Sequence, residues 1–274
     1  MKLKTLFMSC GACVLITATA NAETITIGGT GMSIGMARHL AEAYMKKVPG
    51  VEIKVPNSVG SSGGIKAVLA GRFALSFASR PIKKKNLNKG LTGRPLVITP
   101  FVLTVSPKVG HDLRMSKQDV LKAYAGEITH WPDGTRVNVV SRGAKETNSM
   151  MLEANFDGIS PHLARWRDTR GALRARTDQQ AMDLAEKVPG ALVTTTLLAL
   201  RTEGRALEPI IIDGIVPNLD NLDSKKWTMS TTLHVISGQK TSPAGLAFLD
   251  YLYSPEVAEM LKNWGGLAYK KRGG

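Results

Sequence analysis

Asn57-Ser58-Val59-Gly60-Ser61-Ser62-Gly63-Gly64-Ile65-Lys66 lies where an extended run, Val51 to Val55, gives way to a helical one, Ile65 to Leu69. A glycine- and serine-rich loop between a strand and a helix is a ready anion site. Glycines let the backbone come close to a ligand, the first N–H groups of the helix have no partner within it, and the positive end of the helix dipole favours negative charge. The same order recurs upstream, where Gly28-Gly29-Thr30-Gly31-Met32-Ser33 follows the strand-like Ile25 to Ile27 and precedes a helical pattern from Met36 to Lys47. It recurs again at Val139-Val140-Ser141-Arg142-Gly143-Ala144-Lys145-Glu146-Thr147-Asn148, which leads into a helix expected over Thr147 to Asn155 with Thr147 or Asn148 as its cap. Arg142 there offers a planar, two-pronged donor to a tetrahedral anion. Phe77-Ala78-Ser79-Arg80-Pro81 ends a further strand with a hydroxyl and a guanidinium beside a proline-fixed turn. Each piece alone is an ordinary turn or polar strand end; four of them, spread over two sets of strands and helices, point to an oxyanion binder.

The rest of the chain continues the alternation, which indicates α/β layers with helices packed on a sheet. A strand is expected at Ala74 to Ala78 and a long one at Leu96 to Ser106, then a helix at Ser116 to Tyr124 and a strand at Val137 to Val140. A helix at Asp178 to Lys187 and a strand at Ala191 to Thr195 follow, and Asp213 to Lys226 reads as an irregular surface connection. A strand at Thr231 to Ser237 and helices at Pro243 to Tyr253 and Pro255 to Asn263 close the chain, each proline suiting a first helical turn.

The chain has 274 residues and a net charge of +14. Its first 22 residues read as a secretory signal: Lys2 and Lys4 give a basic start, Leu6 to Ile16 an apolar stretch, and Ala20-Asn21-Ala22 a small-residue cleavage site before Glu23. An uncleaved anchor is the alternative, although the apolar stretch is short against the about 20 residues of a membrane span. The residues before Cys10 and Cys13 fit a lipidation box poorly. Removing the signal leaves 252 residues, no cysteine and, with two lysines and no acid lost, a net charge of +12. Disulfides and cysteine metal sites are thereby excluded, and anionic partners are favoured. Nucleic acid fits less well, since no basic stretch is interleaved with aromatics and Lys83-Lys84-Lys85 and Lys270-Lys271-Arg272 read as solvated edges.

Two enzyme-like motifs compete. The Gly28 loop nearly matches a dinucleotide fingerprint, but its third glycine falls at Gly35, one residue late, and Glu52 lies inside the next strand. Gly60-Ser61-Ser62-Gly63-Gly64 satisfies G-x-S-x-G, with Asp213 and His234 following in the order of a serine hydrolase whose nucleophile would be Ser62. Against it, His234 sits within the strand-like Thr231-Thr232-Leu233-His234-Val235-Ile236. His39, His111, His130 and His162 lack metal-ligand spacing and read as surface or helix-face residues.

Taken in order, these motifs resemble the periplasmic phosphate-binding protein of the high-affinity phosphate ABC importer, within the type II periplasmic binding proteins. Gly60 to Lys66 is nearly identical to that family's motif. Gly126-Glu127-Ile128-Thr129-His130-Trp131, Pro189-Gly190-Ala191 and Trp227-Thr228-Met229-Ser230-Thr231-Thr232 are similar to its later segments, so the resemblance spans almost all of the mature chain. It implies a two-lobed fold with hinge crossover strands, one lobe from residues 23–100 with 229–274 and the other from 101–228. It also implies an exported, monomeric, non-enzymatic protein without cofactor or metal, which captures phosphate or a related tetrahedral oxyanion for an ABC permease in the inner membrane. Sulfate, molybdate, tungstate or an organophosphate are the alternative ligands, and a sensor or adhesion protein the alternative use of the fold.

Carried over residue by residue, Gly31 and Met32 supply backbone donors with Thr30 or Ser33 as the nearby hydroxyl, Ser61 is the hydroxyl of the second loop, and Arg142 matches the family's arginine. Two departures stand out. Ser79 takes the place where the family commonly has an aspartate that accepts the proton of hydrogen phosphate. Glu146-Thr147-Asn148 replaces the family's Ser-Gly-Thr, so that only Thr147 keeps a hydroxyl and Glu146 brings a negative charge, with the expectation that it takes over the acceptor role.

Overall fold

The computed structural model describes residues 23–269. The signal segment, both cysteines and Lys270-Lys271-Arg272 lie outside them. Among the described residues no helix is long and apolar enough to cross a membrane.

The chain opens with β1 (Glu23–Gly29), a single 3-10 turn (Gly31–Ser33), α1 (Ile34–Lys47) and β2 (Val51–Lys54). α2 (Gly60–Leu69), β3 (Leu75–Ala78), the short α3 (Lys84–Leu87) and the long β4 (Leu91–Val105) follow. Then come β5 (Arg114–Met115), α4 (Lys117–Ala125), β6 (Asn138–Val139), α5 (Thr147–Asn155), α6 (Ser160–Asp168), α7 (Asp178–Lys187) and β7 (Ala191–Thr196). The chain continues through α8 (Leu197–Thr202), β8 (Glu208–Pro209), β9 (Ile211–Ile212) and α9 (Leu219–Asp223), and closes with β10 (Ser230–Gly238), α10 (Pro243–Leu252), α11 (Pro255–Asn263) and β11 (Leu267–Ala268).

One sheet runs in the order β2-β1-β3-β10-β4-β7-β6, and β4 joins its two halves. From Leu91 to Pro100 it pairs with β10, and from Phe101 to Thr104 it turns to β7, antiparallel in both cases. β1 lies parallel to β2 and β3, and β6 parallel to β7, the arrangement that helical crossovers produce. In the first lobe Leu75 and Phe77 of β3 join a core with Leu40 and Tyr44 of α1 and Phe248 of α10, while Ala78 packs with Ile65 and Val68 of α2. β3 is therefore sandwiched by helices and buried throughout, as β7 is in the second lobe.

β4 starts five residues earlier than the expected Leu96, across Gly93 and Pro95, which locally read as breakers. The pairing register with β10 shifts between Leu233 and His234, opposite Pro95, so a residue without an N–H sits at an irregularity of the ladder. α5 and α7 have the expected bounds, α10 and α11 begin as read, and α4 begins one residue later than read, at Lys117; Ser116, Ser242 and Ser254 give these three their side-chain caps. β6 falls within the strand expected at Val137 to Val140; α3, α6, α8 and the short strands β5, β8, β9 and β11 were not expected, and the stretch read as irregular contains α9.

Candidate functional site

α2 begins at Gly60, not at Ile65, so the Gly-Ser-Ser-Gly-Gly segment is the first turn of the helix and not a loop before it. Glycine is a poor helix former, and close packing explains its use here. A Cβ on Gly64 would collide with Ser76 Oγ and come within 3.0 Å of the Gly29 Cα, so this glycine seats the helix directly on β1 and β3. Gly60 takes a φ of +69°, the left-handed conformation that turns the chain into the helix.

This end of α2 meets the 3-10 turn before α1 and the first turns of α5 and α7 around a cavity of about 370 Å³. The first lobe contributes Thr30, Gly31, Met32, Ser58 to Ser62 and Arg80; the second contributes Arg142, Lys145 to Asn148 and Arg176 to Asp178. At the cavity the 3-10 turn, α2 and α5 have no side-chain cap, a trait they share with α1, α3 and α6, whereas α4, α8, α9, α10 and α11 each have one. Apart from the Gly60 N–H, which donates to Ser58 Oγ at 3.3 Å, the first-turn N–H groups of these three segments have no local side-chain acceptor. α7 is the exception, with Thr177 accepting from the N–H of Gln180. The expectation that Thr147 or Asn148 caps α5 is corrected: Glu146 holds the cap position without a capping bond, and both residues lie inside the helix.

On the first-lobe wall the buried donors are neutral, with the half-buried Arg80 beside them. Ser61 Oγ accepts from the Ser79 N–H at 3.1 Å and lies 3.1 Å from Ser79 Oγ. Ser79 Oγ in turn is 2.6 Å from Thr147 Oγ1 of the opposite lobe, and Thr30 Oγ1 donates to it over 3.5 Å. Four hydroxyls from four separate segments form one connected cluster across the cleft.

The second-lobe wall is ionic. Arg142, with a side chain only 8% exposed, pairs with Glu146 Oε2 through Nε at 2.7 Å and Nη2 at 2.6 Å. Its Nη1 has no hydrogen bond and lies 3.6 Å from Asp178 Oδ1. Asn148 Nδ2 donates to that same carboxylate oxygen at 3.0 Å and to the Thr194 carbonyl at 3.3 Å. Arg142 therefore sits between two carboxylates, and one edge of its fork is already taken. Counting all cavity-lining charges, Arg80, Arg142, Lys145 and Arg176 face Glu146 and Asp178, a balance of +2.

Of the residues singled out from the sequence, Thr30, Gly31, Met32, Ser61, Arg142, Glu146, Thr147 and Asn148 line the cavity, and Ser79 lies buried in the hydroxyl cluster. Ser33 does not reach it: its hydroxyl donates back to the Thr30 carbonyl at 2.9 Å. Asp178 was missed, because Thr177-Asp178 before an amphipathic run reads as a helix start and nothing more. Its contact is tight, since a Cβ on Gly31 would collide with Asp178 Oδ2. Beside it, Gln179 Nε2 donates to the Gly31 carbonyl at 2.9 Å, tying α7 to the first lobe.

The hydrolase constellation does not assemble. Ser62 is exposed and its Oγ accepts from Arg80 at 2.6 Å, His234 bonds the Thr232 carbonyl from inside β10, and Asp213 accepts from the Lys117 N–H. Burial holds the His234 ring below its ordinary pKa. The dinucleotide reading fares no better, because Gly35 lies inside α1, where a Cβ would press on the Thr202 backbone of α8.

Residues 17–256 match the family model described as a PBP superfamily domain. No curated protein sequence matches the chain. Among solved structures, one from Clostridium perfringens, described as a phosphate ABC transporter substrate-binding protein with bound phosphate, superposes with a TM-score of 0.75 at 19% identity over 90% of this chain and 100% of that one. An ABC-type phosphate transport receptor from Vibrio cholerae gives 0.60 at 18% identity over 89% and 99%, and the periplasmic molybdate-binding protein of Azotobacter vinelandii 0.62 at 12% over 90% and 100%. At these identities the likeness is one of fold.

Proposed function

The chain belongs to the PBP superfamily, and we propose that it is an exported solute-binding protein that captures phosphate or a related tetrahedral oxyanion between its lobes and delivers it to an ABC importer. The observation that carries this reading is the convergence of three uncapped helical N-termini, four clustered hydroxyls and one buried arginine on a single cavity. An oxyanion needs many donors in fixed directions, and backbone N–H groups at helix starts supply them at low entropic cost. The phosphate-binding descriptions of the Clostridium perfringens and Vibrio cholerae structures support the same ligand class.

In this reading residues 23–100 with 229–274 form one lobe and 101–228 the other, and closure brings the neutral wall onto the ionic one. β4 exchanges β10 for β7 as its partner between Pro100 and Phe101, where such a boundary falls. The N-terminal 22 residues act as a secretory signal, and the permease reads the closed state. No step of bond making is required. Glu146 and Asp178 favour an oxyanion that carries a proton, which a carboxylate can accept, over fully ionised sulfate, which it repels.

Calorimetry on protein stripped of ligand, against phosphate, arsenate, sulfate, molybdate and tungstate, tests the proposal. Saturable binding of phosphate or arsenate with weak or no sulfate binding is expected; no heat from any oxyanion overturns it.

A further inference from the structure

The cavity holds more cationic side chains than a bare oxyanion site at its hydroxyl cluster uses. Arg80, Lys145 and Arg176 all line it, and among the described residues none of the three forms an ion pair with a carboxylate. Each stands within two residues of an inner wall group, Ser79, Thr147 or Asp178, yet Arg80 is only half-buried and Lys145 and Arg176 are exposed. They therefore ring the mouth, from both lobes, while the hydroxyl cluster and Arg142 lie within. A tetrahedral oxyanion fills roughly the space of two or three waters at ~30 Å³ each. The cavity measures about 370 Å³.

Resting on the oxyanion reading of the inner wall, we propose that the ligand is a phosphomonoester of a small organic acid, with its phosphoryl group on the hydroxyl cluster and helix N-termini and its carboxylate at the mouth. Arginine can take a carboxylate through two parallel hydrogen bonds, and Arg80 and Arg176 bring such forks from opposite lobes. Lys145 adds a point charge. Arg142 keeps only Nη1 clear of Glu146, so it can donate to the phosphoryl group but offers no wholly free two-pronged edge to a carboxylate. A ligand with negative charge at both ends also suits a cavity whose surplus positive charge lies at the mouth.

The test uses a matched pair of probes that differ in one group: 3-phosphoglycerate, and glycerol 3-phosphate, which has a hydroxymethyl group in place of the carboxylate. Inorganic phosphate is the third probe. Calorimetry on the stripped mature chain is expected to give 3-phosphoglycerate about tenfold tighter binding than either of the others, the scale of one charge-assisted pair. In the Arg80→Ala/Arg176→Ala double variant that gap closes: the affinity ratio of 3-phosphoglycerate to inorganic phosphate falls to about one, whatever loss the two probes share. Phosphate binding as tight as 3-phosphoglycerate binding, or a gap that survives the double substitution, overturns this inference and leaves the oxyanion reading standing. Failure of all three probes to bind overturns both.

Discussion

The two walls of the cavity solve the same problem with opposite chemistry. The buried part of the first-lobe wall is neutral, with Arg80 outside it: Thr30, Ser61 and Ser79 present hydroxyls, and the starts of α2 and of the 3-10 turn present backbone N–H groups. The second-lobe wall is a compensated ionic cluster in which Glu146 and Asp178 flank Arg142. A neutral wall can be dried by lobe closure without desolvating an ion. An ionic wall tolerates burial only while its partners stay in place, and the loss of one leaves the rest uncompensated. The first lobe thus shapes the site whereas the second sets most of its charge, so substitutions on the two sides should fail in different ways.

The largest effect is expected from Arg142→Ala. It removes a donor to the anion, worth roughly 1.5 to 3 kcal/mol, and leaves two carboxylates facing the cavity. Oxyanion affinity should fall at least about tenfold, and because the side chains of Arg142 and Asp178 are 8% and 5% exposed, stability should fall too. Breaking such a pair costs about 3 kcal/mol or more. Unchanged affinity by calorimetry would remove Arg142 from the site and with it the contrast between the walls.

Gly64→Ala attacks the other wall through its geometry. The added methyl meets Ser76 Oγ and the Gly29 Cα, so α2 must lift from the sheet. A loss of about 1 to 3 kcal/mol in stability is expected by urea unfolding, with weaker anion binding. Gly63, which does not line the cavity, would meet only the Val59 side chain, at 3.0 Å, and Gly63→Ala should cost less. Equal losses at both positions would show that helix propensity and not close approach governs this segment.

Glu146→Gln tests whether the ionic wall selects for a protonated ligand. It removes one negative charge and loosens the hold on Arg142 Nε and Nη2, so sulfate affinity should rise about tenfold relative to phosphate. Equal rejection of sulfate before and after the change would leave Glu146 as a positioning partner of Arg142 alone. The smallest effect is expected from Ser61→Ala, at about 1 kcal/mol in affinity, since a neutral hydroxyl contributes less than a guanidinium and the α2 backbone donors remain. A loss larger than that of Arg142→Ala would reverse the ranking of the walls.

Most of the first-lobe wall was legible in the chain, because its parts are neighbours in sequence. Gly60 to Gly64 carries the glycines, Ser61 and the helix start within five residues, and only the position of the helix boundary was misread. Propensity places glycine outside a helix, but the tight seat of Gly64 on Gly29 and Ser76 overrides it. The bounds of α5 and α7 were legible for the same local reason, a turn signal before an amphipathic run. α8 was not, since Leu197 to Thr202 continues the apolar character of β7 and gives no periodic signal before its partner α1 is in place.

The ionic wall divides along the same line. Arg142 and Glu146 are only four residues apart, yet the segment between them is a loop, where that spacing does not imply contact, and their pairing was not read from the sequence. Asp178 lies 36 residues further on, and locally it is only an acid in the first turn of a helix, where acids are favoured anyway. The α/β alternation, the glycine-rich helix start, the basic balance and the hydroxyls at the strand ends could all be read from the residues, because each is written in composition or short-range pattern. The tertiary structure alone decided that Asp178 and Glu146 flank one guanidinium, that Ser79 meets Thr147 across the cleft, and that Ser33 turns away. Those facts depend on how two lobes meet through β4, and a contact between distant segments leaves no periodicity in either of them.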